Sequence, residues 1–441
     1  MEEKSTAGEV LAALSHALDL VEGQPRGHSV RTSMIAMRIA NEMGLEPSLC
    51  ESLFYAALLK DSGCSTNSAR IHKMFGGDEF LAKRKVKYID WTNPFESVKY
   101  AVTTIDPNAS VIEKLRKMAA MTGSPVKAMD EATAARCTRG ASIALQLGFD
   151  VHTSKAIQYL DEHWDGRGSP THQVGESISI LARILCLSQT LEIFVTSFGC
   201  DAGFEMIRAR SGTWFDPEVV KAALCLSQEC FWEDHWKHVN GEQVPLNEPE
   251  LALTRPLTTI DKVAEAFATV IDAKSAFTFE HSSRVHKYSM ALAKFFGFDG
   301  RRTKTLSRAA LLHDVGKLGV PNSVLDKPAK LTDSEFDQIK LHPRFTFEIL
   351  GQIRGQERMT EIAANHHERL DGRGYWRGLE AEQLDLDMRI LAAADVFDAL
   401  SAARPYREAL PMEKVFAIMD EGAGAHLDHD CIDALKQLYS V

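Results

Sequence analysis

The sequence lacks the cysteine spacing of a zinc ribbon or a redox pair, since none of its eight cysteines forms a CxxC motif. It also lacks a charged-then-apolar signal peptide and any apolar run near the roughly eighteen residues that a membrane helix needs. Without an export signal, the cysteines are expected to be reduced thiols. These absences predict a cytoplasmic protein that has no membrane partner.

Positive charge is scarce as well. The formal net charge is −11 at pH 7, whereas a protein that wraps a long nucleic acid carries a basic stripe. A long nucleic acid is therefore not an expected partner. A small phosphorylated ligand is compatible with this charge, because a few local cations are enough to hold it.

Strand-like alternation of polar and apolar residues is rare, and helical periodicity takes its place. Apolar residues recur every three or four positions in most segments, as the buried face of a helix requires. The 441 residues suffice for two or three domains. The sequence therefore predicts an all-α protein.

A proline-rich stretch at 240–256 marks the clearest domain boundary. It contains three prolines and few large apolar residues, which favours a linker over packed structure. We place the first domain at 1–245, the linker at 246–256 and the second domain at 257–441.

The two halves share four short blocks in the same order. The pairs are GHSVR at 27–31 with EHSSR at 280–284, AALLKDSG at 56–63 with AALLHDVG at 309–316, WDGRGSP at 164–170 with LDGRGYW at 370–376, and RILCLSQ at 183–189 with RILAAAD at 389–395. The first half carries an insert near 64–130. Such repetition predicts two tandem domains of one fold.

The second half concentrates side chains that bind metal ions. The candidates are His281, His313, Asp314, His342, His366, His367 and Asp395. Imidazole with carboxylate and no cysteine suits iron, manganese or zinc, and an aspartate is able to bridge two ions. By contrast, His286, His426 and His429 are interpreted as ordinary polar residues.

Together these blocks resemble an HD-GYP domain of the HD phosphohydrolase superfamily. The resemblance is carried by DAKSAFTFEHSSR at 272–284, HDVGK at 313–317, the pair His342-Pro343, HHERLDGRGYW at 366–376 and RILAAADVFDAL at 389–400. It implies two tandem HD-type helical domains and metal-dependent hydrolysis of a cyclic dinucleotide, chiefly cyclic di-GMP to linear pGpG. The alternatives are 3′,3′-cyclic GMP-AMP as substrate, a nucleotidase acting on mononucleotides, and a non-catalytic receptor or scaffold.

The same resemblance implies a role for each candidate ligand. One divalent ion would be held by His281, His313 and Asp395, a second by His342, His366 and His367, and Asp314 would bridge them. Iron or manganese is favoured, with nickel or zinc as further choices. The two ions would activate a water molecule as hydroxide for attack on phosphorus.

Four further residues belong to the implied substrate site. Lys317 would contact the scissile phosphate or protonate the leaving oxygen, and Arg404 would bind the second phosphate. Gly374 and Tyr375 would complete the site. Asp398, one turn after Asp395, is interpreted as a supporting residue rather than a ligand.

The sequence departs from the HD-GYP pattern at two positions. Trp376 replaces the proline of the motif, so its indole either packs over a base or against a partner, or is a surface substitution of little effect. Phe277 stands where some relatives carry a glutamate that helps to hold a third metal. We therefore expect two ions and a reaction that stops mainly at the linear dinucleotide.

The first half retains only part of the candidate ligand set. His28 and Asp61 are kept, whereas the other positions carry Lys60, Arg136, Leu160, Asp161 and Gln189, and Cys64 replaces the lysine. This half is expected to fold without a binuclear metal centre and to be non-catalytic and regulatory. Alternatively, Lys60 and Arg136 bind an anion.

The letters GGDEF at 76–80 spell the motif of diguanylate cyclases. A cyclase domain needs a much longer segment of alternating strands and helices than this insert offers. We therefore expect no cyclase activity. The expected partners are the cyclic dinucleotide and, as further options, a second copy of the chain or a separate diguanylate cyclase.

Overall fold

The computed structural model describes residues 6–67, 79–90, 96, 100, 125–228, 231–241, 246, 248–254, 260–275, 280–327, 329–403 and 408–439. Within these ranges the regular structure is helical, and the only β pairings are three isolated bridges. The all-α prediction is confirmed. The described residues form two compact units, one over 6–254 and the other over 260–439.

The first unit is built from helices that surround an apolar core. They are α1 Ala7–Val21, α2 His28–Glu42, α3 Pro47–Leu59, α4 Glu79–Val86, α5 Pro125–Gln146, α6 Val151–Gln158, α7 Ile180–Phe198, α8 Cys200–Ala209, α9 Pro217–Cys225, α10 Phe231–Val239 and α11 Glu250–Thr254, with short 3₁₀ turns at Cys64–Asn67, Gly175–Ser177 and Leu226–Gln228. Helices α2 and α3 pack against each other and against α7.

The second unit repeats this arrangement with shorter connections. Its helices are α12 Ile260–Asp272, α13 His281–Phe295, α14 Gly300–Leu312, α15 Asn322–Leu325, α16 Asp333–Ile339, α17 His342–Leu350, α18 Glu357–Ala364, α19 Leu386–Ser401, α20 Met412–Glu421 and α21 His429–Tyr439, with 3₁₀ turns at Val315–Gly319 and Ala381–Gln383. Helix α13 packs on α14 and α19, and α17 packs on the turn at Val315–Gly319.

Side-chain caps fix where the helices of the second unit begin. The Asp299 carboxylate accepts a hydrogen bond from the Arg302 amide at 2.8 Å at the start of α14. The Asp385 carboxylate does the same for the Met388 amide at 3.3 Å at the start of α19. Such caps satisfy backbone amides that have no partner inside the helix. They fix the residues at which these two helices begin.

The predicted linker at 246–256 is wrong in part. Residues Glu250–Thr254 form helix α11, and Ala252 is buried against the first unit. The Tyr55 hydroxyl donates to the Ala252 carbonyl at 3.4 Å, and the Thr6 hydroxyl donates to Glu248 at 2.5 Å. The prolines had suggested an open chain, but the apolar residues between them give this stretch a face to bury.

Helix α7 is long and apolar enough to cross a membrane by length and composition alone, with a mean hydropathy of 1.4. The sequence had suggested that no segment met this criterion. In the structure 72% of that window is buried inside the protein. Helix α7 is therefore a core helix of the first unit, since burial accounts for its apolar composition.

Candidate metal centre

All seven candidate ligands come together in the second unit, and six of them lie at or next to helix ends. His281 and His342 begin α13 and α17; His313 and Asp314 follow α14; His366 and His367 come two and three residues after the end of α18; Asp395 lies within α19. His313, Asp314 and His342 have no exposed surface, and Asp395 is 8% exposed. The cluster is therefore a buried polar centre.

Three of the imidazoles are oriented in the same way. His313, His342 and His366 each place Nδ1 at 2.6–2.8 Å from the carbonyl oxygen of the residue three positions earlier. Those carbonyls belong to the last turns of helices α14, α16 and α18, where they have no partner inside the helix. With Nδ1 donating its proton, Nε2 is left as an acceptor that faces the cluster.

Asp314 lies between two groups of histidines. Its Oδ2 is 3.4 Å from Nε2 of both His281 and His313. Its Oδ1 is 3.4 Å from Nε2 of His342 and 3.6 Å from Nε2 of His366. Each carboxylate oxygen therefore faces a different group, which is the geometry of a bridging ligand.

Two ligand groups flank this aspartate. His281, His313 and Asp395 offer ligand atoms within 4.8 Å of one another, and so do His342, His366 and His367. Within the second group, Nε2 of His342 and Nε2 of His366 are 3.2 Å apart. These are the two groups that the HD-GYP resemblance implies.

Among the described residues, two buried atoms of the cluster find no hydrogen-bond partner. They are Nε2 of His313 and Oδ1 of Asp314. A buried polar atom without a partner is costly unless something satisfies it. Imidazole nitrogens with carboxylate oxygens suit iron, manganese or zinc. The donor set therefore fits divalent transition metal ions.

The ionisation states of most ligands also favour a cation. Burial raises the pKa of Asp314, but the neighbouring His313 and Lys317 outweigh it and hold that pKa well below the usual range. Burial lowers the pKa of His342 and His367 well below 6.5. These carboxylate and neutral imidazole forms are the ones that bind metal.

His281 differs from the other histidines. Burial lowers its pKa, but hydrogen bonds to Asp314, Asp395 and Asp398 outweigh burial and raise that pKa well above 6.5. Without a metal this imidazole carries a proton between carboxylates. A bound cation would take the place of that proton, so metal binding at His281 should release it.

Lys317 lies beside the cluster, as the sequence predicts. Its Nζ donates to Oδ2 of Asp314 at 2.5 Å, and its side chain is 18% exposed. The turn that carries it is held close to α17, because the Gly316 amide donates to the Thr346 hydroxyl at 3.1 Å. A Cβ at Gly316 would lie 2.0 Å from the His342 carbonyl, so only glycine fits there.

Tyr375 lies over one ligand of the second group. Its ring centroid is 4.7 Å from that of His367, and Phe336 meets its edge at 6.4 Å. Close packing requires glycine at position 374, since a Cβ on Gly374 would lie 2.4 Å from Cα of Glu368. Arg404 and Phe277, to which the sequence assigned a phosphate contact and the loss of a third metal, lie outside the described residues.

Trp376 packs within the second unit. Its ring centroid is 5.4 Å from that of Phe347, and the Arg377 guanidinium lies 4.6 Å from the indole. The indole is therefore a packing residue in this structure. Phe336, which is 43% exposed beside Tyr375, was missed by the sequence analysis because no motif contains it.

The first unit repeats the framework of the centre. Ser282 donates its hydroxyl proton to Asp272 at 2.6 Å, and Ser29 donates to Asp19 at 2.7 Å. A Cβ at Gly63 would lie 1.9 Å from the Arg136 carbonyl, just as one at Gly316 would meet His342. Arg136 therefore occupies the place of His342, as the alignment of the halves predicts.

Ion pairs fill the ligand positions of the first unit. The Lys60 ammonium contacts the Asp61 carboxylate, and the Arg136 guanidinium contacts the Asp161 carboxylate. Glu22, Asp61 and Cys64 offer ligand atoms within 4.8 Å of one another. Burial, however, raises the pKa of the Cys64 thiol well above 9, which keeps it protonated and makes it a poor ligand.

Part of the insert covers this ion-pair cluster. Lys83 of α4 donates to the Val21 carbonyl at 2.7 Å and lies 3.7 Å from Glu22. Lys87 and Arg136 each come within 3.8 Å of the same carboxylate. The cations of this cluster already contact carboxylates, which weighs against the alternative of an anion site.

Comparisons with known proteins identify the family of this chain. A family model described as an HD domain matches residues 127–219 and 265–431, so it covers parts of both units. The chain belongs to the HD domain family. The chain is 36% identical to the 3′3′-cGAMP-specific phosphodiesterase 3 of Vibrio cholerae over 431 residues, which cover 97% of this chain and 94% of that protein.

One further relative and one solved structure extend the comparison for this HD domain chain. A cyclic di-GMP phosphodiesterase response regulator of Xanthomonas campestris is 39% identical over 194 residues, which are 43% of this chain and 49% of that protein. A crystal structure of a V. cholerae cyclic GMP-AMP-specific phosphodiesterase superposes with a TM-score of 0.67 at 31% identity and covers 99% of this chain and 98% of that chain. The predicted family, fold and assignment to the phosphodiesterases are confirmed.

Proposed function

We propose that the second unit hydrolyses one phosphodiester bond of 3′,3′-cyclic GMP-AMP and releases a linear dinucleotide. The buried seven-residue cluster around Asp314 is the observation that carries this proposal. The sequence favoured cyclic di-GMP, with cyclic GMP-AMP as the alternative. The relative that matches along nearly the whole chain acts on cyclic GMP-AMP and therefore supports that alternative more strongly.

Two divalent ions, iron or manganese before nickel or zinc, would supply Lewis acidity and a nucleophile derived from water. His281, His313 and Asp395 would hold one, and His342, His366 and His367 the other. Asp314 would use one carboxylate oxygen for each ion, as its contacts with the two histidine groups suggest. Four imidazoles already have a hydrogen-bond partner at Nδ1, so their rings need no rotation to bind an ion through Nε2. They are those of His281, His313, His342 and His366.

Lys317 would act on the phosphate. Its ammonium bonds to Asp314 in the structure, so it is within one side-chain rotation of a group bound at the bridge. It would neutralise a non-bridging phosphate oxygen or give its proton to the leaving 3′ oxygen. Tyr375 and Phe336 offer aromatic surface beside His367 on which a base could stack.

The first unit, predicted as the domain at 1–245, would have no catalytic role. Cations stand at Lys60 and Arg136, where the second unit carries histidines. We assign it a regulatory role. Association of two copies, a diguanylate cyclase partner, a cytoplasmic location and the absence of a third metal remain predictions.

Purified full-length protein loaded with Mn²⁺ or Fe²⁺ under reducing conditions tests the substrate. We expect cyclic GMP-AMP to be cut faster than cyclic di-GMP, with a linear dinucleotide as the main product. His281→Ala should abolish turnover. His286→Ala is the matched control on the same helix, because His286 contacts the Ser307 hydroxyl at 2.9 Å and belongs to neither ligand group.

Several outcomes would contradict the proposal. Faster turnover of cyclic di-GMP would favour the second candidate, which the Xanthomonas relative supports. Turnover of mononucleotides alone would favour a nucleotidase. Binding of both cyclic dinucleotides without turnover by metal-loaded protein would favour a receptor.

A further inference from the structure

Asp398 is a buried carboxylate that contacts one candidate ligand and one arginine. It is 1% exposed and lies one turn after Asp395 in α19. His281 Nδ1 is 2.7 Å from its Oδ2. Arg284 donates to it from Nε at 2.6 Å and from Nη2 at 3.1 Å. Both carboxylate oxygens are therefore fixed by α13.

His281 is oriented differently from the other Nε2-facing histidines of the cluster. His313, His342 and His366 use neutral carbonyl oxygens as partners of Nδ1, whereas His281 uses a carboxylate. A carboxylate partner fixes the tautomer and increases the basicity of the opposite ring nitrogen. That nitrogen, Nε2 of His281, lies 3.3 Å from Asp395 and 3.4 Å from Asp314.

We infer that Asp398, itself held by Arg284, is a positioning residue that strengthens binding of the ion assigned to His281, His313 and Asp395. This inference rests on the metal centre of the proposed function. Asp398 would hold His281 through Nδ1 and keep Nε2 directed at the ion. Arg284 would keep Asp398 from turning its oxygens into the cluster, where it would compete with Asp395.

The first unit contains the same three-residue arrangement without the neighbouring ligands. His28 contacts Glu192 through Nδ1, and Arg31 Nε donates to Glu192 at 2.6 Å. Glu192 is 1% exposed and therefore as buried as Asp398. The arrangement persists where Lys60 and Arg136 fill the ligand positions. A purely structural role, joining two helices, is therefore the rival explanation.

The two explanations differ in how metal affects stability. If Asp398 only joins α13 to α19, its replacement lowers the unfolding temperature equally with and without metal. If Asp398 positions a ligand, its replacement also reduces the additional stability that bound metal provides, because that increment depends on the dissociation constant. Metal affinity therefore separates the two roles without an activity measurement.

The test is a Mn²⁺ titration of chelator-treated full-length protein against a metal indicator. For Asp398→Asn, we expect one of two ions to bind about 10- to 100-fold more weakly, while the other keeps its affinity. Asp398→Glu should restore most of that affinity, since Glu192 makes both contacts in the first unit. Glu192→Gln is the matched control and should leave Mn²⁺ binding unchanged.

A second variant tests the same inference if Asp398→Asn does not fold. Arg284→Gln alters a side chain that is 31% exposed, so the fold should tolerate it. We expect it to weaken the same ion by a smaller factor. Wild-type affinity for both ions in folded Asp398→Asn and Arg284→Gln would overturn the inference. Wild-type protein that binds no Mn²⁺ would instead refute the metal centre itself.

Discussion

Replacing Lys317 with methionine should destabilise metal-free protein much more than metal-loaded protein. The Lys317 ammonium lies 2.5 Å from Oδ2 of Asp314, a carboxylate whose side chain is 1% exposed. In metal-free protein the Lys317 ammonium therefore balances the charge of the buried Asp314 carboxylate. A bound ion at either side of Asp314 would supply positive charge in its place.

The size of the effect follows from burial. Removing one partner of a buried ion pair costs about 3–5 kcal/mol. Because Lys317 keeps 18% exposure and protonated His281 stays near Asp314, we expect the lower end, about 3 kcal/mol. For a unit of this size that lowers the unfolding temperature by about 6–12 °C. In metal-loaded protein the loss should shrink to about 1 kcal/mol or less, as for an exposed pair.

Calorimetric unfolding of the full-length protein, in chelator and then in Mn²⁺, measures both values. Lys327→Met is the matched control, since Lys327 pairs with Glu335 at 2.6 Å near the surface of the same unit. It should have the same small effect in both conditions. An equal loss for Lys317→Met with and without metal would refute the idea that Lys317 compensates for an absent cation.

Four further outcomes follow from the contacts. Asp314→Asn should reduce bound Mn²⁺ and lower kcat at least about 100-fold; metal analysis and turnover check this, and normal metal content would contradict it. Lys60→Met should lower the unfolding free energy of the first unit by about 3 kcal/mol without changing Mn²⁺ content, and a loss of bound Mn²⁺ would contradict the absence of a metal site in this unit. Phe336→Ala should raise KM by about 5-fold or more through lost base stacking at constant kcat, whereas Phe295→Ala, equally exposed at 44%, should change neither. Burial lowers the pKa of His163 from 6.5 to about 4, so as pH falls the unfolded chain binds this proton before the folded protein does. The unfolding free energy should therefore decrease below pH 6.5, by about 2 kcal/mol at pH 5. His163→Phe should flatten that pH dependence of the unfolding free energy.

Much of the fold was readable in the sequence because helical periodicity is a local property. Apolar residues at every third or fourth position predicted an all-α protein. Local caps such as that of Asp299 fix where a helix like α14 begins. The linker prediction failed over Glu250–Thr254, because prolines define local conformation but do not reveal which apolar residues find a surface. The apolar helix α7 shows the same limit, since only packing identifies it as a core element.

The ligand set was readable for a different reason. Histidines and aspartates in repeated blocks identified the chemistry, and the aligned halves predicted that Arg136 replaces His342. The sequence did not reveal Phe336, which belongs to no motif. It also left two interpretations of Trp376 open, and the structure shows that this indole packs on Phe347.

By itself the sequence determined which side chains were available, the helices that carry them and the loss of ligands in the first half. Only the tertiary structure decided that Asp314 faces two groups of histidines and that helix-end carbonyls orient three imidazoles. Only the tertiary structure shows the hydrogen bond between His281 and Asp398, which are 117 positions apart. The physical reason is that hydrogen-bond geometry depends on distances between helices, and sequence spacing fixes distances only within one helix.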